Sequence, residues 1–134
     1  MEGVQKIVVS GLLQHSGKVL LIRRSQREKF YPGHFELPGG KVDFGENPVK
    51  ALEREFLEET NLKIAVENPL RTFSYVSEGG QRHSVEIVFR VFLVSNPSEI
   101  QLSADHDEYR WALPSRIDEL KLSEEIRKSF DYVQ

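Results

Sequence analysis

Gly39-Gly40-Lys41-Val42-Asp43-Phe44-Gly45-Glu46-Asn47-Pro48-Val49-Lys50-Ala51-Leu52-Glu53-Arg54-Glu55-Phe56-Leu57-Glu58-Glu59-Thr60-Asn61-Leu62 is the stretch whose reading decides the fold of this chain. It predicts a helix over residues 47–61. Asn47 is a favoured N-cap, and Pro48 falls at the first helical position, where a missing N–H costs nothing. Asn61 tolerates the left-handed conformation that ends helices. At about 100° per residue, Val49, Leu52 and Phe56 share one stripe, the face expected to bury against a sheet. Glu55, Glu58 and Glu59 stand at i, i+3 and i+4 and converge on a neighbouring face. Like charges on such a patch repel by roughly a few tenths of a kcal/mol per pair when exposed, and by more where water is excluded. A hard divalent cation would offset that repulsion, since Mg²⁺ takes one or two carboxylates together with phosphate oxygens and water. Ala51, one turn before Glu55, is expected to leave room for a ligand, and Arg54 to fix a carboxylate rotamer. Taken alone, the same run also reads as a solvated face on a helix of good helix formers.

On either side of the helix the pattern is that of strands. Residues 6–13 and 18–23 read as an antiparallel pair joined by a hairpin turn at Gln14-His15-Ser16-Gly17. Polar, loop-like sequence over residues 25–34 leads to a short strand, Phe35-Glu36-Leu37, stopped by Pro38-Gly39-Gly40. Beyond the helix, residues 62–77 and 83–94 are β-rich, with Glu78-Gly79-Gly80-Gln81 supplying turn residues between them. In the second of these, Val85, Ile87, Phe89, Val91 and Leu93 make one face apolar and the other is half so, as in a strand deep in a sheet. A last strand over residues 109–113 precedes helical segments at 115–120 and 123–133. This order, with no repeat or linker, predicts one α/β (α+β) domain over residues 1–134, a mixed β-sheet with helices on its faces.

Composition narrows the chemistry. The chain has 134 residues, 39% of them hydrophobic and 10% aromatic, enough for one ordinary core. Its net charge of −3 lacks the basic excess that drives binding to nucleic acid polymers, so help with phosphates is expected from cations held by carboxylates. The absence of cysteine excludes disulfides and thiolate metal sites. No apolar run is long enough for a signal peptide's h-region or a membrane span, and a soluble, cytoplasmic protein without membrane partners is expected.

The segment over residues 40–62 resembles the Nudix box: Gly, five residues, Glu, seven residues, Arg-Glu, an aliphatic or aromatic residue, any residue, Glu-Glu, any residue, Gly and an aliphatic. The matches are Gly40, Glu46, Arg54-Glu55, Phe56, Glu58-Glu59 and Leu62; only Asn61, in place of Gly, departs. The resemblance implies a Nudix-type α/β/α sandwich and a pyrophosphohydrolase. It further implies that Glu55, Glu58 and Glu59 bind Mg²⁺, or Mn²⁺ as a substitute, together with the carbonyl of Gly39. Arg54 would orient a catalytic carboxylate, and Gly40 and Glu46 would be structural within the motif. The lead-in Phe35-Glu36-Leu37-Pro38-Gly39-Gly40 is similar to the MutT-like nucleoside triphosphate pyrophosphohydrolases.

Hydrolysis of a phosphoanhydride needs an activated, in-line water and neutralised phosphoryl oxygens. Glu55 or Glu58 could take the proton, and outside the box Glu108, in the acidic stretch Asp105-His106-Asp107-Glu108, is the chosen second source; His106 and His83 are weaker candidates. Arg23 and Arg24, at the end of the second strand, are expected to reach substrate phosphates. Phe35, Phe73, Tyr75 and Trp111 could stack on a base or fill the sheet's faces. The expected substrate is a small nucleotide-like molecule, a canonical or oxidised nucleoside triphosphate cleaved to monophosphate and pyrophosphate. ADP-ribose or a nucleotide sugar is the alternative, with a non-catalytic nucleotide sensor a further one. Either a monomer or a homodimer is compatible with the strand faces.

Overall fold

The computed structural model describes residues 3–134. Strands β1 (Val4–His15) and β2 (Lys18–Arg24) flank a turn in which Ser16 and Gly17 both have positive φ, 52° and 77°. That is the backbone of a tight two-residue hairpin. The pairing it starts is short: Gln14 faces Val19 and His15 faces Lys18, after which the strands diverge. β1 goes on to pair in parallel with β6 (Arg82–Leu93), from Val4 opposite Arg82 to Leu13 opposite Val91. β6 in turn pairs antiparallel with β5 (Ile64–Ser77). β2 instead joins β3 (Phe35–Glu36) and β7 (His106–Ala112), both antiparallel. The expected hairpin therefore forms only near its turn, because each strand finds a longer partner elsewhere. A further strand, β4 (Gly39–Lys41), pairs with β1 where the sequence pattern suggested only a strand stop.

The mixed sheet carries a helix on each side. Helix α1 (Pro48–Thr60) starts as expected, with the Asn47 side chain accepting from the N–H groups of Val49 and Lys50 at 2.8 and 3.3 Å. It ends on Asn61 at φ 63°, whose amide also donates to the Glu99 carbonyl at 2.9 Å. Leu52 and Phe56 are fully buried against Val9, Leu13, Phe89 and Val91. Ala51 is fully buried in that same cluster, so it is a core residue and not the ligand gap suggested by its place before Glu55. On the opposite face, α2 (Glu124–Ser129) and the turn after it bring Ile126 and Phe130 against Leu12, Leu21, Phe35 and Val88. The helical segment expected at 115–120 is a 3₁₀ segment, Pro114–Glu119. Helix, sheet and helix make the α/β/α sandwich. Among the described residues, no helix is long and apolar enough to cross a membrane.

Candidate active site

Two consecutive glycines place helix and sheet in contact. A Cβ on Gly39 would lie 2.0 Å from the Val9 carbonyl oxygen and 2.6 Å from Ser10 Cα, so the backbone of β4 meets β1 too closely for any side chain. A Cβ on Gly40 would fall 2.3–2.7 Å from the carboxyl group of Glu55. The second glycine thus lets a helix carboxylate rest directly on the strand. The first fixes another: the Gly39 N–H donates to Glu59 Oε1 at 2.9 Å.

Around this contact the charged residues divide into an outer and an inner set. Arg54 is the hub of the outer set. Its guanidinium donates to both oxygens of Glu46 at 2.8 and 2.9 Å, to Glu55 at 3.0 Å, to Glu58 at 3.2 and 3.3 Å, and to the Lys41 carbonyl at 3.2 Å. Glu46 also accepts from the Asp43 N–H and so closes the loop that leads into α1. The arginine hydrogen bonds hold the Glu46 carboxyl down to about 2. Glu58 lies on this rim with its side chain more than half exposed.

Deeper in, Glu59 has no lysine or arginine paired with it among the described residues. Burial pushes the Glu59 carboxyl up to about 9; the Gly39 N–H opposes this, and the negative charges of Glu36, Glu55 and Asp105 add to it. Glu55 is also raised, first by burial, with Arg54 acting against it. Next to Glu59 stands His106, whose Nε2 is 2.8 Å from Glu36 and whose Nδ1 is 4.0 Å from Glu59 and has no hydrogen-bond partner. Gly39, Gly40, Glu55 and Glu59 line one end of a cavity of about 710 Å³. That cavity also takes in Glu36, Arg24 and, further along the sheet, Ser10, Ser84 and Glu86.

The expected residues are distributed unevenly over this geometry. Arg24 lines the cavity, tied to Glu36 at 3.4 Å and donating to the Phe30 carbonyl at 2.6 Å. Arg23 does not reach it. Arg23 pairs with Asp107 at 2.7 Å and Glu108 at 3.4 Å on the other side of the strand, and Glu108 is bound there by Arg23 and Arg110. Neither Glu108 nor Arg23 is among the residues that line the cavity in this structure. The cause is a β-bulge: Arg23 faces Glu108 and Arg24 faces His106, leaving Asp107 unpaired. The acidic stretch consequently turns His106 inwards and its two following carboxylates outwards. Phe35 borders the cavity but is 5% exposed and packs in the core under the Arg110 guanidinium. Trp111 packs against the core near His15, and His83 is engaged with Gln5.

Glu36, Ser10 and Glu86 were missed in the sequence. Glu86 carried a usable signal: it is an acidic residue inside a run that otherwise reads as a strand deep in a sheet. Glu36 carried none that distinguishes it from an edge-strand charge.

The sequence matches the NUDIX domain family over residues 5–133. The chain belongs to the Nudix family. It is accordingly a Nudix pyrophosphohydrolase, a class of enzyme that generally uses divalent metal cations and acts on small nucleotide substrates. Among similar proteins, the nucleoside triphosphatase NudI of Escherichia coli O139:H28 is 26% identical, with 93% of this chain and 94% of that protein covered. The MutT protein of Methanosarcina mazei Go1 superposes with a TM-score of 0.83 at 28% identity, covering 98% of this chain and 94% of that one. A MutT Nudix hydrolase from Burkholderia pseudomallei gives 0.81 at 25% identity, covering 98% and 99%.

Proposed function

We propose that this Nudix enzyme hydrolyses a nucleoside triphosphate to the monophosphate and pyrophosphate, with the phosphates at the Gly39, Glu55 and Glu59 end of the cavity. One P–O–P bridge breaks, the water oxygen joins the attacked phosphorus, and its proton passes to a carboxylate. The observation that carries this reading is the pair Glu55 and Glu59, half-buried together at the edge of the cavity with Arg54 reaching only the first. Such a donor set of hard oxygens, short of positive charge, fits Mg²⁺, with Glu55, Glu58, Glu59 and the Gly39 carbonyl as its ligands. Among the described residues, no three His, Asp or Glu side chains are gathered as a ready-made ligand cluster, so Glu58 would have to exchange Arg54 for the ion. The bound cation would act as a Lewis acid on the phosphate and lower the pKa of its water. Arg54 orients Glu55 and Glu58, either of which can accept the water's proton, and Arg24 supplies a guanidinium to the same cavity. The relatives named as a nucleoside triphosphatase and as MutT proteins support the triphosphate over ADP-ribose or a nucleotide sugar.

The test is a product-resolved hydrolysis panel with Mg²⁺, with Mn²⁺ and without metal, across canonical and oxidised nucleoside triphosphates, ADP-ribose and nucleotide sugars. Metal-dependent release of pyrophosphate and monophosphate from triphosphates is expected. Release of AMP and ribose phosphate from ADP-ribose, with triphosphates inert, would replace the triphosphate reading.

A further inference from the structure

Away from the phosphate end, the cavity floor carries polar groups that the hydrolytic chemistry leaves unused. On β6, Ser84 and Glu86 alternate along one face; across the ladder Tyr75 stands opposite Ser84 and Phe73 opposite Glu86, and directly paired residues share a face. Phe73 and Tyr75 stack on one another with ring centroids 6.0 Å apart. Ser10 reaches the same floor from β1 and donates to Glu86 Oε2 at 2.7 Å. β1 also joins the two ends of the cavity, since Ser10 faces Gly39 in its pairing with β4. All of these except Gly39 belong to the floor, and all line the cavity.

Burial makes this arrangement costly unless something completes it. Glu86 is 9% exposed, Ser10 2% and Ser84 1%. Buried polar groups are nearly always hydrogen-bonded; Ser84 Oγ has the Tyr75 hydroxyl beside it, which leaves the Glu86 carboxyl as the open group of the floor. Glu86 Oε1 accepts no hydrogen bond among the described residues, and no arginine or lysine pairs with this carboxyl. Arg71, which acts on Glu86 through its charge, is itself held by Glu125 at 3.0 Å and Ser129 at 3.1 Å. A carboxyl lining a cavity beside two aromatic rings is a recognition surface for a flat, polar ring.

We propose that Glu86, flanked by Ser10 and Ser84 and walled by Phe73 and Tyr75, reads the base of the substrate and selects a heterocycle with two adjacent N–H donors, the edge that guanine presents. This rests on the reading that the cavity takes a nucleotide. A carboxylate is an acceptor at both oxygens, so a ring N–H beside an exocyclic amino group satisfies it with two charge-assisted hydrogen bonds. Adenine and cytosine offer an amino group next to a ring acceptor and satisfy it once. Uracil and thymine place carbonyl oxygens on either side of their single N–H, against the carboxylate. Burial pushes the Glu86 carboxyl up to about 7, with the Ser10 hydrogen bond opposing the rise. Glu86→Gln keeps the shape and presents one acceptor and one donor, the complement of the adenine or cytosine edge.

The experiment is titration calorimetry of GMP, AMP, CMP and UMP into the metal-free wild-type protein and into Glu86→Gln, with thermal melts confirming that both are folded. In the wild type GMP is expected to bind about ten- to a hundredfold more tightly than UMP. In Glu86→Gln the GMP advantage over AMP and CMP should fall by about tenfold or reverse. Equal affinities in the wild type, an unchanged GMP preference in Glu86→Gln, or no binding of any monophosphate would each overturn the proposal. The two readings fail separately. A GMP preference lost in Glu86→Gln, in a protein that hydrolyses no triphosphate, leaves the base floor standing without the reaction; hydrolysis indifferent to the base does the reverse.

Discussion

The outer and inner carboxylates around helix α1 are made of the same residue type and differ in whether a cation of the protein reaches them. On the rim, Arg54 joins Glu46, Glu55 and Glu58, and Glu46 stays ionised down to about pH 2. Inside the cavity, half-buried Glu59 and buried Glu86 have no such partner among the described residues, and desolvation pushes their carboxyls up to about 9 and about 7. Glu55 belongs to both sets. The fold thus balances charge where it needs rigidity and leaves carboxylates unbalanced where a substrate complex is proposed to supply the positive charge or the N–H donors. A buried acid of that kind lowers the stability of the free protein and is retained for what it binds.

The two glycines beneath these sets give the sharpest way to separate them. Gly39→Ala sets a methyl against backbone atoms of Val9 and Ser10, which cannot move aside without parting β4 from β1. It should cost about 3 kcal/mol or more in denaturant unfolding, or abolish folding. Gly40→Ala meets only the end of the Glu55 side chain. Its stability should stay within about 1 kcal/mol of wild type. Its hydrolytic rate should fall about a hundredfold, as expected for a displaced carboxylate. Equal losses of stability in the two variants would break the distinction between a backbone contact and a carboxylate seat.

A smaller effect comes from the far end of the inner set. Glu86 faces Glu36, Glu125 and Tyr75 as well as the cation Arg71, and burial dominates its shift. Because its folded pKa lies above the unfolded value near 4.5, the stability it contributes is complete below about pH 4.5 and is lost as pH rises through about 7. Glu86→Gln has no such dependence. Relative to that variant, the wild type should lose on the order of 2–3 kcal/mol between pH 4.5 and 8 in chemical denaturation. A constant difference across that range would mean that Glu86 is not held in a desolvated site.

Much of the fold was legible because it rests on local signals. The Asn47 cap, Pro48, the Leu52 and Phe56 stripe and the Asn61 stop all depend on residues within one helix, and the spacing of the box is itself local. The pairing of strands was not: local residues mark the β1–β2 turn, but the parallel pairing with β6 and the short β4 depend on contacts distant in sequence. The site divides along the same line. Residues 39–59 are brought together by one strand, one loop and one helix, whereas the inward turn of His106 and the outward turn of Glu108 follow from a bulge that no residue type announces. Ala51 lies where helical periodicity alone does not distinguish a buried small residue from a gap left for a ligand.

If Glu59 and Glu55 hold a divalent cation as proposed, thermal unfolding of the wild type and Glu59→Gln with increasing Mg²⁺ will show it without requiring a substrate. Millimolar Mg²⁺ should raise the wild-type Tm by ~3 °C or more and leave Glu59→Gln unchanged. The same rise in both proteins, or none in the wild type, would contradict the assignment of Glu59 and its neighbours as the cation site.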